Sequence, residues 1–326
     1  MKPTKKFELE LLTKVVEIFF SVSENYTSKK LSSFNNIVYE LIFNDSSYII
    51  RLSFAHHRIL ENLLYELQLV RFLFCNGLSV GCPIISIDGK SIEIIELDEA
   101  VFYASCFTKV AGEHLSIKDV NHWGIPLATE LGSFVGKMHS LMRKFDAKMA
   151  SEQHWKPENI VESVSQLTHP FGKIVLKSAH NLAYSIENLD GRKHRYGLIH
   201  GDFHAANFRV LENQIHAFDF DSVMHHWIDY DIAVLYSHIA GVVDPKIAAC
   251  YLSGFFEGYT LHCHFENNWL NDIHLFIRLR DLDRYVIFCN NNDLSTISGP
   301  AESWFLCLQR CIMLEKPSLE MDLMIN

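Results

Sequence analysis

Across 326 residues, 39 acidic against 29 basic side chains leave a formal net charge of −10, which excludes the basic footprint that nucleic-acid binding rests on. Hydrophobic residues make up 48% of the chain and Phe alone numbers 23, enough for large cores; at roughly 100–200 residues per domain the length predicts two lobes. No stretch approaches the ~18 uninterrupted apolar residues of a spanning helix, so neither nucleic acid nor a membrane is an expected partner.

Eight cysteines (75, 82, 106, 250, 263, 289, 307, 311) form no CxxC pair. They sit mostly in apolar runs and read as small buried hydrophobes in a reducing cytoplasm. The histidine pairs His225-His226 and His262-Cys263-His264 have no tetrahedral set spaced around them, and with 18 histidines in the chain such pairs arise by chance, so zinc is not expected.

The chain opens with MKPTKKFELELLTKVVEIFF, where Glu8, Glu10, Lys14 and Glu17 interrupt the apolar run. That predicts an amphipathic helix rather than a signal peptide. Ile37 to Phe43 and Tyr48 to Phe54 are rich in β-branched and aromatic residues, and Asn44-Asp45-Ser46-Ser47 joins them as a turn, so the pair predicts a hairpin. Alternation puts Tyr48, Ile50, Leu52 and Phe54 on one face, with Arg51 on the other beside Ile49 and Ser53.

His56 to Cys75 has helical spacing and stops at Asn76-Gly77. Ile59, Leu63, Val70 and Leu73 form one stripe, Glu66 falls on it, and Glu61, Tyr65 and Gln68 lie opposite. An acid on a buried stripe needs a cation. Arg51 is the nearest upstream; the alternative is a solvated Glu66 at the stripe's edge. Strands are expected at Pro83 to Ile87, Ser91 to Leu97 and Val101 to Val110, the first two turning at Asp88-Gly89-Lys90. The first ~110 residues are then a mostly antiparallel sheet with a packed helix.

From Ser116 the character is helical. Ser116 and Asp119 suggest a capping box, and Leu127, Leu131, Phe134, Val135, Met138 and Leu141 give a 3.6-residue stripe. Further helices are expected at Pro170 to Asn188, Tyr230 to Ile239, Pro245 to His262, Trp269 to Asn290 and Ala301 to Leu314. Between them lies LIHGDFHAANFRVLENQIHAFDFD, 198–221. Its apolar runs flank a turn at Glu212-Asn213-Gln214, so a hairpin should return Asp219 and Asp221 beside the loop of Asp202 and Asn207. Three carboxylates and a carboxamide there suit a hard cation such as Mg²⁺.

HGDFHAAN at 200–207 has the form H-x-D-x-x-x-x-N, with Asp219-Phe220-Asp221 twelve residues on and WIDYDIA at 227–233 beyond it. With SSFNNIVYE, YIIRL, Glu66 and FTKVAGE upstream, and more weakly FFEGY and FIRLRDL downstream, this resembles the kinase-like phosphotransferases, the superfamily of aminoglycoside phosphotransferases, choline kinases and homoserine kinases. The resemblance implies an α+β, bilobal protein-kinase-like fold: a β-rich nucleotide-binding lobe over 1–110 and a helical lobe over 111–326 carrying the catalytic loop and acceptor pocket. It implies an ATP- and Mg²⁺-dependent enzyme phosphorylating a hydroxyl of a small molecule such as an amino alcohol or aminoglycoside. A protein Ser/Thr kinase and a non-catalytic nucleotide-binding protein of the same fold are the alternatives; no APE signature follows Asp221 to favour the former.

By the same resemblance Asp202 is the catalytic base, and Asn207 and Asp219 hold the metal, with Asp221 auxiliary. Arg51 stands where a lysine contacts the α/β-phosphates and Glu66 braces it; the exchange turns a point charge into a planar fork. Phe107 to Val110 form the hinge that meets adenine. Ser33, Asn35 and Asn36 lie in a glycine-free loop over the phosphates. His200 and His204 shape the catalytic loop, and Asp231 accepts hydrogen bonds from it.

Overall fold

The computed structural model describes residues 5–22, 25–33, 36–98, 100–115, 123–146, 153–167, 171–240 and 245–319. Its first part builds one six-stranded sheet from β1 (Thr27–Ser33), β2 (Ile37–Phe43), β3 (Ser46–Phe54), β4 (Pro83–Ile84), β5 (Glu93–Leu97) and β6 (Ala100–Thr108). The β2–β3 hairpin is tighter than expected, with Phe43 opposite Ser46. Only Asn44 and Asp45 turn the chain, both at positive φ (49° and 57°), the conformation that Asn and Asp tolerate best after glycine.

Two helices cover opposite faces of this sheet. Helix α1 (Lys5–Phe20) buries Leu11, Leu12, Val15, Val16 and Phe19 against Leu41, Ile50, Leu52, Phe102 and Cys106. Helix α2 (Leu60–Cys75) sets Leu63 and Leu67 on the other face with Ile92, Tyr103 and Phe107 around them. Its second flank, Tyr65, Leu69, Val70 and Leu73, enters the core of the helical part. Because α2 is sandwiched, a single-stripe reading fails in two places. Tyr65 is buried, its ring 5.5 Å from that of Phe145, and Ile59 at the N-cap is 61% exposed.

Other expectations need correction. The segments around 83–87 and 91–97 do not pair with each other; β4 and β5 both pair with β6, at Phe107–Cys106 and at Ala104–Ala100. Strand β1, TSKKLSS, has no apolar alternation and forms because the ladder with β2 satisfies its backbone. Cys75, Cys250 and Cys307 are exposed, whereas Cys106 and Cys263 are buried.

The helical part comprises α3 (Ile125–Met142), α4 (Pro157–Ser165), α5 (Gly172–Glu187), the single turn α6 (Arg192–Arg195), α7 (Ile228–Ala240), α8 (Pro245–Tyr259), α9 (Ile273–Asn291) and α10 (Pro300–Met313). Two small antiparallel ribbons run through it, β7 (Tyr196–Ile199) with β10 (Met224–Trp227), and β8 (Phe208–Leu211) with β9 (Gln214–Ala217). Ser116 and Asp119 lie outside the described residues; the helix there starts at Ile125, after Gly124, with Pro126 in its first turn. Helix α4 and strand β10 were not anticipated, being short and mixed in composition. Helices α3 and α8 touch backbone to backbone: a Cβ on Gly132 would stand 1.8 Å from Phe255 O, and one on Gly258 1.9 Å from Thr129 O.

The β8–β9 ribbon ties the sheet to the helical part. Glu113 and Val210 exchange both backbone hydrogen bonds, and Ala217 bonds Ser79 and Gly81. No described helix is long and apolar enough to cross a membrane.

Candidate active site

The site begins at a cation that apolar strands would not keep without reason. Arg51, 5% exposed on β3, points its fork at Glu66 of α2, also 5% exposed. Nη1 donates to Oε1 at 2.7 Å and Nη2 to Oε2 at 2.9 Å, the parallel geometry that fixes both side chains. The Phe107 ring lies 5.1 Å from the guanidinium carbon. Burial alone would ease the proton off Arg51, yet the charge and hydrogen bonds of Glu66 outweigh it and raise its pKa. Of the two readings of Glu66, the buried, partnered one holds.

Across from this pair, strand β7 ends at Ile199 and the chain turns sharply after His200. Gly201 has φ of 82°, and a Cβ there would sit 2.2 Å from Ser222 O, so only glycine fits. Asp231, fully buried at the start of α7, accepts from the His200 and Gly201 amides at 2.8 Å each and from His139 Nε2 at 3.0 Å. Burial would lift its carboxyl; the His139 hydrogen bond and the loop donors overcome this and hold it low. His200 is buried and neutral, its pKa lowered chiefly by desolvation. Its Nδ1 accepts from the Asp202 amide (3.3 Å), so its proton is on Nε2, which donates to Phe218 O (3.2 Å). His200 thus clasps the loop to the strand leading to Asp219 and moves no proton.

Asp202 faces two donors. Arg280 Nη2, from α9, donates to Oδ1 at 2.6 Å, and His204 Nε2 lies 3.4 Å from Oδ2. The Ala206 amide donates to His204 Nδ1, which leaves the imidazole proton on Nε2, aimed at Asp202. Burial pushes the carboxyl up, but His204 and Arg280 prevail and hold it at about 2. Asn207 donates from Nδ2 to Asp202 O at 2.9 Å, which leaves its Oδ1 without a partner among the described residues.

Asp219 sits after β9 at φ of 66°, a strained position for a residue with a Cβ, of the kind found at functional sites. Burial first, and then the charge of Asp221, push its carboxyl up to about 7; Arg51 lowers it, while Glu66 and Asp202 raise it further. Asp219 is therefore within the fields of both halves of the site and is short of positive charge. A hard cation bound by Asp219, Asn207 and phosphate oxygens suits this donor set, because Mg²⁺ is usually held by one or two carboxylates plus substrate phosphates. No group of three or more His, Cys, Asp or Glu side chains among the described residues would hold a metal without such help.

Asp221 is engaged differently. Arg58 and Asn36 both donate to its Oδ2, and Ser53 Oγ donates to Asn36 Oδ1 at 2.8 Å, so Asp221 joins the sheet to the loop. Ser33 ends β1; Asn35 lies outside the described residues. Val110 follows β6 and packs near Gly81. Sequence reasoning assigned no part to Arg58 or Arg280. Arg280 lies within FIRLRDL, part of the weak tail of the resemblance, and only the folded chain brings it 78 positions back to Asp202.

A two-helix-flanked sheet with a bidentate Arg–Glu pair, set over a helical lobe whose loop carries Asp and Asn, defines an enzyme of the bilobal, kinase-like class. The chain belongs to the phosphotransferase enzyme family (APH), which it matches over residues 29–263. It is 28% identical over 276 residues to the amicoumacin kinase of Bacillus subtilis (strain 168), covering 82% of this chain and 81% of that one. Its fold superposes on the structure of amicoumacin kinase hAmiN, solved with AMP-PNP, Ca²⁺ and Ami, with a TM-score of 0.88 and 26% identity over 97% of this chain and 96% of that one. A microcompartment-associated aminopropanol kinase shares the fold, with a TM-score of 0.75 at 17% identity over 96% of this chain and 99% of that one.

Proposed function

We propose that this phosphotransferase moves the γ-phosphoryl group of ATP to a hydroxyl of a small molecule, with Asp202 as the base and Asn207 and Asp219 holding Mg²⁺. The observation that carries the reading is geometric: a buried bidentate Arg51–Glu66 pair on the sheet, and a loop in which Asp202 accepts from Arg280 and Asn207 Nδ2 is tied to the Asp202 carbonyl. Bound Mg²⁺ neutralises charge on the phosphates. Arg51, braced by Glu66, presents a fixed cation to the α/β-phosphates, and Phe107 to Val110 lie at the strand end where adenine would rest. Ser33, at the end of β1, would lie towards the phosphates.

Asp202 orients the acceptor hydroxyl and takes its proton. A carboxyl held at about 2 is a weak base, which suits a loose transition state in which the proton leaves late and positioning does most of the work. In this reading the lobe boundary falls near residue 110 and the enzyme works in the cytoplasm, where ATP is supplied. Amicoumacin, the compound named for the relatives, belongs in an acceptor panel with amino alcohols and aminoglycosides. Acceptor-dependent ADP release that disappears in Asp202→Ala supports the assignment; release that survives the substitution removes Asp202 from it.

A further inference from the structure

Around Asp202 the helical lobe gathers two arginines, with Asp281 and Asp283 within their fields, and leaves buried nitrogens without partners. Helix α9 places Arg280 and Arg284 four residues apart, one above the other on the same face. Arg280 spends Nη2 on Asp202, yet its Nε–H is buried without a partner. Arg284, half-buried, makes no hydrogen bond or ion pair among the described residues, although Arg280 repels it and Asp281, Tyr230 and Asp202 lie within its field. On α7, His238 stacks on His204 at 5.0 Å between ring centroids and leaves Nε2 buried and unpaired. The nearby Asp283 accepts the Tyr230 hydroxyl and acts on Arg280, but hydrogen-bonds neither Arg280 Nε nor Arg284 among the described residues.

Buried donors left unpaired cost free energy unless a ligand meets them. Two arginines near the base ask for oxygen, and a purely cationic acceptor would meet Arg284 with repulsion. Resting on the proposed function, we infer that the acceptor carries an acyl oxygen (a carboxylate or carboxamide) next to the hydroxyl that is phosphorylated, held by Arg284 and by Nε of Arg280. Arg280 then acts as a positioning residue, with one nitrogen on Asp202 and another on the acceptor. Whatever amine the acceptor also bears points away from α9.

The test uses ATP, Mg²⁺ and acceptors in matched sets with and without the acyl group. The smallest set is L-threonine, L-threoninamide and 1-aminopropan-2-ol, which share one skeleton. The expected result is a kcat/KM at least tenfold higher for the acyl members. In Arg284→Gln that preference falls to near unity, mainly through KM, and Arg284→Lys restores part of it. Calorimetric binding of AMP-PNP checks that the variants are folded. Turnover with no acyl preference, or a preference untouched in Arg284→Gln, overturns the inference. So does an equal fall in kcat for every acceptor, which would place the arginines on the transferred phosphoryl group. ADP release with no hydroxyl compound at all removes the underlying reading, and this inference with it.

Discussion

Arg51 shows how a single residue type can be diagnostic. A cation at 5% exposure survives only because Glu66 meets both of its terminal nitrogens, and removing one member of such a pair strands the other. Glu66→Ala or Arg51→Ala should therefore cost about 3–5 kcal/mol in urea unfolding. Arg51→Met/Glu66→Leu together should cost far less, while abolishing ATP turnover; a double variant as unstable as the singles would contradict this account of the pair. Asp219 gives a second prediction, through pH. Its carboxyl is raised to about 7 in the folded, nucleotide-free chain against about 3.9 when unfolded. Between those values the folded chain keeps a proton that the unfolded chain has lost, so stability falls as pH rises from about 4 to 7. The wild type should lose more melting temperature between pH 5 and pH 8 than Asp219→Asn, and Mg²⁺-ATP should oppose that loss. An identical pH slope in both proteins would count against the burial of charge at Asp219.

At the scale of elements, the α3–α8 crossing depends on glycines that let two backbones meet. Gly258→Ala should destabilise by about 1–3 kcal/mol, because the added carbon meets Thr129 O at 1.9 Å. Gly197→Ala, with nothing within 4 Å, should come far nearer to neutral, and thermal melting distinguishes the two. Strongly periodic elements were legible in the sequence: α1, α2, the β2–β3 hairpin, the stripe of α3 and the fingerprint at 200–221. Strand β1 was not, since SKKLSS carries no β pattern and owes its shape to its partner. The exposure of Ile59 and burial of Tyr65 were also hidden, because periodicity finds one buried face and α2 has two. Asp202, Asn207 and Asp219 stood out by type and spacing, while the Arg51–Glu66 pair was one of two readings until the family resemblance was added. Arg58 and Arg280 did not stand out, because contacts spanning 163 and 78 positions leave no local trace.

For the molecule as a whole, the described residues form three buried cores, and one helix belongs to two of them. One face of the sheet packs on α1, the other on Leu63 and Leu67 of α2, and the opposite flank of α2 enters the large helical core. The bridges of Glu113 to Val210 and of Ala217 to Ser79 and Gly81 hold the hairpin that carries Asp219 against the sheet that carries Arg51. The net charge of −10 does not describe the surroundings of Asp202, which pairs with Arg280. The central claim is that phosphoryl transfer takes place between these two bodies with Asp202 directing the acceptor. The most direct test follows phosphate-ester formation by phosphorus NMR across a panel of hydroxyl compounds with Mg²⁺-ATP, in wild type and in Asp202→Asn. The prediction is an ester on the acceptor hydroxyl in the wild type and a rate lower by about 10²–10⁴-fold in the variant, with AMP-PNP binding retained. Ester formation at an undiminished rate in Asp202→Asn would contradict it.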